Sequence, residues 1–318
     1  MTGKSTGSSC CMPKTANVFA TDQEPGLRQV QRTGQDAAPP LQRWCHIPQG
    51  TFVMGNNGPD AIAEDGESPA RLVELDAFLI SATTVSNAEF AAFVRATHYI
   101  TDAEQAGESF VFYWQVPDSE RRHVRQVVSG LPWWLPVANA SWQRPEGPHS
   151  HIHERLDHPA VHVSWNDAVA YCAWAGVSLP SEPQWERAAR GGLEGKRFAW
   201  GDDLHDADGK LRCNIFRGDF PHQPESGWLP GPVTCDAGEP NGFGLFNVCG
   251  NVWEWCANPV AEAVYPLRGG SFLCHDSYCN RYRVAARTFN SQSTSASNIG
   301  FRVSRPNPSP CPIHKGSG

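Results

Sequence analysis

No stretch of this chain approaches eighteen consecutive apolar residues, which excludes a transmembrane helix. Positive charge is in short supply: 26 Lys and Arg face 33 Asp and Glu, for a net charge of −7 and a pI near 5.9. That balance argues against non-specific nucleic-acid binding and against an anionic membrane surface. Residues 1–40 lack an apolar run that could serve as a secretory signal, so a reducing cytoplasm is the expected compartment. Between about 43 and 305 there is no repeat, linker or sharp shift in composition. What the 318 residues do hold is Gly (29), Pro (26) and Trp (12). Gly and Pro make up about a sixth of the chain, against roughly 12 % in an average one. A loop-rich fold pinned by aromatics and poor in long helices follows.

The chain divides into an N-terminal tail over 1–42, one domain over 43–305 and a proline-rich C-terminal tail over 306–318. Three helices are expected from their caps: Ser86 with Glu89, Ser164 with Asp167 before a stop at Gly176, and Ser181 with Gln184 before Gly191-Gly192. Short strands are expected at 51–54, 71–80, 268–273 and 299–304. The class is α+β, irregular and loop-rich, with little regular secondary structure.

Eleven cysteines are many for a reducing compartment, where they serve as thiols or metal ligands. Cys10-Cys11-Met12 offers soft donors, though adjacent thiols in a tail are more often incidental. His149, His151, His153, His158 and His162 form a cluster without a further ligand at a recognised spacing, so a solvated loop is the simpler reading. The segment Asn247 to Trp255 combines side-chain oxygens with a glycine that frees the backbone to expose carbonyls. That suits a hard cation such as Ca²⁺, or equally a tight turn that caps itself. Cys274 and Cys279, separated by four residues after Gly269-Gly270, fit a disulfide, a redox pair or a soft low-coordinate ion, Cu(I) before Zn²⁺. The neighbouring Arg281 and Arg283 are expected to lower the thiol pKa values.

The chain resembles the formylglycine-generating enzymes, or sulfatase-modifying factors, from about Ile47 to Arg302. The matching stretches are Ile47–Gly55, Pro132–Val137, His158–Ala168, Asn247–Trp255, the run from Gly269-Gly270-Ser271 to Arg287, and Ser295–Arg302. The resemblance implies a single irregular α+β domain related to C-type lectins. It also implies an oxidase that uses O₂ and copper to convert the cysteine of a Cys-x-Pro-x-Arg segment in an unfolded sulfatase to Cα-formylglycine. Cys274 and Cys279 match the Cu(I) ligands, with Ser271 and Trp253 lining the pocket beside them. Asn247, Gly250, Val252 and Glu254 match a structural calcium site, and Asn214, Ile215 and Trp228 a second one.

Three departures accompany the match. The second calcium site has Glu225-Ser226-Gly227-Trp228 where relatives carry an aspartate before a Gly-aromatic pair. Only Cys256 to Leu267 spans a region that is longer in most relatives. Some secreted relatives carry paired cysteines where this chain has Cys172 with Val303 and Ala189 with Val284; losing those bridges agrees with a reducing compartment, and a monomer is expected. Two other activities are weighed beside the oxidase: an iron-dependent sulfoxide synthase, which needs an extra helical domain, and a non-catalytic binding module, which would lack the cysteine pair.

Overall fold

The computed structural model describes Pro13, residues 43–124 and residues 128–307. Cys10, Cys11 and Met12 lie outside the described residues, as does most of both expected tails. Pro13 is buried, and its carbonyl accepts from Asn290 Nδ2 at 2.8 Å.

Helices form where the caps predict. α1 (Asn87–Thr97), α3 (Trp165–Ala175) and α4 (Glu182–Ala189) each begin with a reciprocal capping box on Ser86, Ser164 and Ser181. Gly176 ends α3 in the left-handed conformation. A fourth helix, α2 (Asp102–Ala106), carries the same box on Thr101 and Glu104; the sequence reading missed it because five residues show no apolar stripe.

The strands are β1 (Trp44–Ile47), β2 (Gly50–Met54), β3 (Arg71–Leu75), β4 (Phe78–Ser81), β5 (Glu108–Phe112), β6 (Trp134–Ala138), β7 (Gly218–Asp219) and β8 (Gln223–Pro224). After them come β9 (Trp253–Trp255), β10 (Val264–Arg268), β11 (Arg287–Ser291), β12 (Ile299–Gly300) and β13 (Ser304–Pro306). The single strand expected over 71–80 is broken into β3, which pairs with β2, and β4, which lies between β1 and β13. The strand expected over 268–273 is a correction: β10 ends at Arg268. Gly269 and Gly270 then turn the chain at φ of +92° and +75°. A Cβ on Gly270 would stand 2.8 Å from both Arg281 O and Tyr282 Cα, so only glycine lets these backbones meet. Residues 299–304 likewise resolve into β12 and the start of β13.

The sheet that carries the site has the order β11-β10-β9-β12. β9 runs antiparallel to β10, with Arg268 opposite Glu254, and parallel to β12, with Ile299 opposite Trp253. Helices α1 and α3 pack an aromatic cluster of Phe90, Phe93, Tyr171, Trp174 and Phe301, mostly edge to face with centroids 5.3–6.4 Å apart. Loops are fastened to this frame by buried ion pairs: Glu186 with Arg190 and Arg268, Glu67 with Arg283, and Glu254 with Arg302. The architecture is α+β, with four short helices among the described residues and small separate sheets.

Candidate active site

The turn that follows β10 builds the centre of the site. Cys274 N–H donates to Ser271 O at 2.9 Å, and Ser271 N–H donates back to Cys274 Sγ at 3.4 Å. The N–H groups of Tyr278, Cys279 and Asn280 then converge on the His275 carbonyl at 3.0–3.3 Å, curling the chain back toward its start. Cys274 and Cys279, 0 % and 4 % exposed, are both present as thiols. Trp133, Phe220 and Tyr278 form an aromatic wall on the residue before Cys279, with centroids 5.2–5.7 Å apart.

Trp253 enters from β9, and its backbone N–H donates to Asn298 O at 2.8 Å. Asn298, just before β12, reaches the same centre by donating Nδ2–H to Ser271 Oγ at 3.0 Å. Sequence reasoning assigned it no role, although it lies within a stretch that carries the resemblance. Ser271, Trp253 and Asn298 are all 0 % exposed. Among the described residues the Trp253 Nε1–H and the Asn298 Oδ1 have no partner. Two soft sulfur donors on one turn suit a d¹⁰ ion that accepts low coordination, and the unpartnered polar atoms beside them are the kind a small ligand would satisfy. The residues present therefore fit copper.

The positive neighbours of the two cysteines each have a carboxylate partner of their own. Arg281 pairs with Asp65 and Arg283 pairs bidentately with Glu67, so each guanidinium faces a carboxylate of the 60–67 loop. Tyr282 donates its hydroxyl to Asp276, and burial followed by that hydrogen bond raises its pKa.

The Asn247–Glu254 segment turns through left-handed residues at Asn247, Gly250 and Asn251. The Glu254 carboxylate accepts from Arg302 Nε and Trp185 Nε1 on one oxygen and from Arg302 Nη2 at 2.8 Å on the other. Of roughly four lone-pair positions on a carboxylate, three are filled, so Glu254 can offer a cation at most one. Asn247 donates its amide to the carbonyls of Thr234 and Cys235, leaving its oxygen as the acceptor. At the second expected calcium site, Asn214 donates to Gly231 O and Asn251 Oδ1, Ile215 is buried, and Trp228 packs edge-on to Phe216. Glu225, the stand-in carboxylate, is exposed.

The histidines are dispersed in role. His162 is a core residue bonded to Ser109 Oγ and Pro145 O, its pKa lowered to about 3, chiefly by burial. His158 pairs with Asp157, while His151 and His153 stack on each other. Among the described residues no group of three or more His, Cys, Asp or Glu is placed to hold a metal. The shortened 256–267 segment makes a tight link into β10, closed by Val260 N–H to Val264 O, with Trp165 stacked on Tyr265 at 3.7 Å.

A groove of about 620 Å³ lies alongside, lined by Gln115, Glu120, Glu146, Trp228 and Leu229 among others, and not by the two cysteines. Gln115 ties it to the site by accepting from Ser297 Oγ at 2.7 Å. No helix of the described residues is long and apolar enough to cross a membrane.

The profile of the family described as "Sulfatase-modifying factor enzyme 1-like domain" matches residues 29–306. A formylglycine-generating enzyme of Thermomonospora curvata is 50 % identical over 277 residues, covering 80 % of this chain and 91 % of the relative. The mouse formylglycine-generating enzyme is 47 % identical over 280 residues, covering 82 % and 74 %. A bovine protein named inactive C-alpha-formylglycine-generating enzyme 2 is 43 % identical over 264 residues, covering 80 % and 85 %. Among solved structures, PvdO from Pseudomonas aeruginosa shares the fold at a TM-score of 0.59 and 21 % identity, covering 83 % of this chain and 94 % of its own.

Proposed function

The chain belongs to the sulfatase-modifying factor family, and from that premise we propose that it oxidises the cysteine of a Cys-x-Pro-x-Arg segment in an unfolded sulfatase to Cα-formylglycine, with O₂ as oxidant and Cu(I) held by Cys274 and Cys279. The observation that carries this reading is the pair of buried thiols on one turn, with a buried serine and tryptophan whose polar hydrogens find no acceptor among the described residues. Bound copper would supply the one-electron chemistry with O₂ that no side chain here provides. The chain's own residues supply position and dryness. The Gly269-Gly270 turn fixes Ser271 against Cys274, while the indoles of Trp253 and Trp255, both 0 % exposed, exclude water from the β9 side. The groove along Gln115 and Trp228 offers an extended segment a place to lie, and a cytoplasmic setting agrees with thiols such as Cys172 and Cys256.

A structural calcium ion is the second part of the proposal. The left-handed turns at Asn247 and Gly250 support it, since such turns free backbone carbonyls to serve as ligands, with Glu254 limited to one oxygen by its pairing with Arg302.

The test is to incubate a Cys-x-Pro-x-Arg peptide with copper-loaded protein and O₂ and follow its mass. Conversion of thiol to aldehyde is the expected result. An unchanged peptide in the presence of bound copper would refute the oxidase reading. It would leave the non-catalytic one, which the similarity to the inactive bovine relative keeps open.

A further inference from the structure

Around Ser271 the donors and acceptors do not balance. Its Oγ accepts from Asn298 Nδ2 at 3.0 Å and from Leu273 N at 3.3 Å. A hydroxyl oxygen has two acceptor positions. Both are filled, so the hydroxyl hydrogen must point away from Asn298, and no described residue accepts it. The Trp253 Nε1–H is a second buried donor with no partner among the described residues. Both belong to one network, since Trp253 N–H donates to the carbonyl of the same Asn298. A buried donor left unmade is costly and in native proteins marks a water, an ion or a ligand.

We propose that Asn298 is a positioning residue that sets the polarity of the site: by donating to Ser271 it holds the serine hydroxyl as a donor, available with Trp253 to a small electron-rich ligand beside Cys274. This rests on the oxidase reading, in which that ligand is O₂ as it gains negative charge. Hydrogen-bond donors aimed at growing charge stabilise it without reorganising. The amide is suited to the task because its nitrogen can only donate. A carboxylate at the same position can only accept, and would draw the serine hydrogen toward itself.

The test therefore compares Asn298→Asp, Asn298→Gln and Ser271→Ala. Asn298→Asp should raise KM for O₂ on the order of ten- to a hundredfold, the scale of one hydrogen bond to a charged group. Cu(I) affinity, measured against a competing chelator, should stay within about twofold, since neither sulfur ligand is touched. Asn298→Gln, which keeps the donor, should recover part of the O₂ dependence. A merely structural role would lower melting temperature and kcat in all variants without singling out O₂. Neutron diffraction from the deuterated, metal-free wild-type protein reads the polarity directly. The expected result is amide deuterons on the Asn298 atom facing Ser271 and a serine deuteron turned away. A serine hydroxyl deuteron directed at an Asn298 atom that itself carries no deuterons would overturn the inference. So would an Asn298→Asp enzyme with wild-type O₂ dependence while Ser271→Ala is slowed, a result that leaves the oxidase reading intact. Wild-type kinetics in Ser271→Ala would remove the serine's role and the inference with it.

Discussion

Truncating Glu254 to alanine removes the carboxylate from the centre of the main sheet and leaves the Arg302 guanidinium behind. Both residues are 0 % exposed, and they meet in two charge-assisted hydrogen bonds. In Glu254→Ala the Arg302 Nη1 and Nη2 groups keep the carbonyls of Ser81, Ala82 and Phe246 at 2.9–3.3 Å, but the Nε–H loses its acceptor and the charge its partner. The Trp185 indole N–H loses its acceptor as well. Breaking a buried pair from one side costs about 3–5 kcal/mol. At about 2–4 °C per kcal/mol for a domain of this size, melting should fall by roughly 6–20 °C. Arg302→Ala should cost a similar amount, but the double variant should fall short of the sum by about 1–3 kcal/mol, because the second deletion removes a charge already orphaned. The assay is thermal and urea unfolding of the three variants followed by Trp fluorescence. Additivity within about 0.5 kcal/mol, or a Glu254→Ala protein that melts with the wild type, would refute the reasoning.

Cys274→Ser and Cys279→Ser should each abolish peptide oxidation and cut Cu(I) affinity by orders of magnitude, as measured by chelator competition, because serine is a hard donor. Cys172→Ser should leave turnover within about a few-fold: its thiol is buried in α3, and burial raises its pKa and keeps it inert. Removing calcium with a chelator should lower the melting temperature of the wild type without changing initial turnover, since an ion bound only to the native state stabilises by mass action; an unchanged melting curve discards the ion. Asp167 is fully buried, and burial first and Asp102 second raise its carboxyl pKa to about 7. The native state thus keeps a proton that the unfolded chain, with a pKa of about 3.9, has already released. The stabilisation this gives is complete below about pH 4 and is lost as pH rises to about 7. Melting scans should show Asp167→Asn flattening the curve between about pH 5 and 7, and a slope identical to wild type would contradict the assignment.

Local signals in the sequence carried the helices. A serine and its partner three residues on are both on the page, so α1, α3 and α4 could be read from Ser86, Ser164 and Ser181. The same chemistry at Thr101 went unread because α2 is too short to show a face. Strands β1, β5 and β6 were missed because each is defined by a partner well along the chain: Trp44 pairs with Ser81, and Glu108 with Ala138. The site divides along the same line. Ser271, Cys274 and Cys279 share one turn and one stretch of resemblance. Asn298 is 27 positions from Ser271 and meets it only through the β9–β12 pairing. That Glu254 also faces Arg302, 48 positions on, could not be seen from its own segment. A Gly-Gly pair was taken for the start of a strand when its conformational freedom in fact ends one.

The place of β12 and β13 in the fold has a consequence for synthesis. β13 is added to β4, whose other edge holds β1, and β12 brings Asn298 to Ser271 and Trp253. A nascent chain translated through Cys279 already has both thiols but lacks the strands that seal the pocket around them. Pairings that span most of the chain form late, because the loop must close before the contact repays it. Both thiols are therefore made before the segment that carries Asn298, and the site is assembled only once β12 has paired with β9.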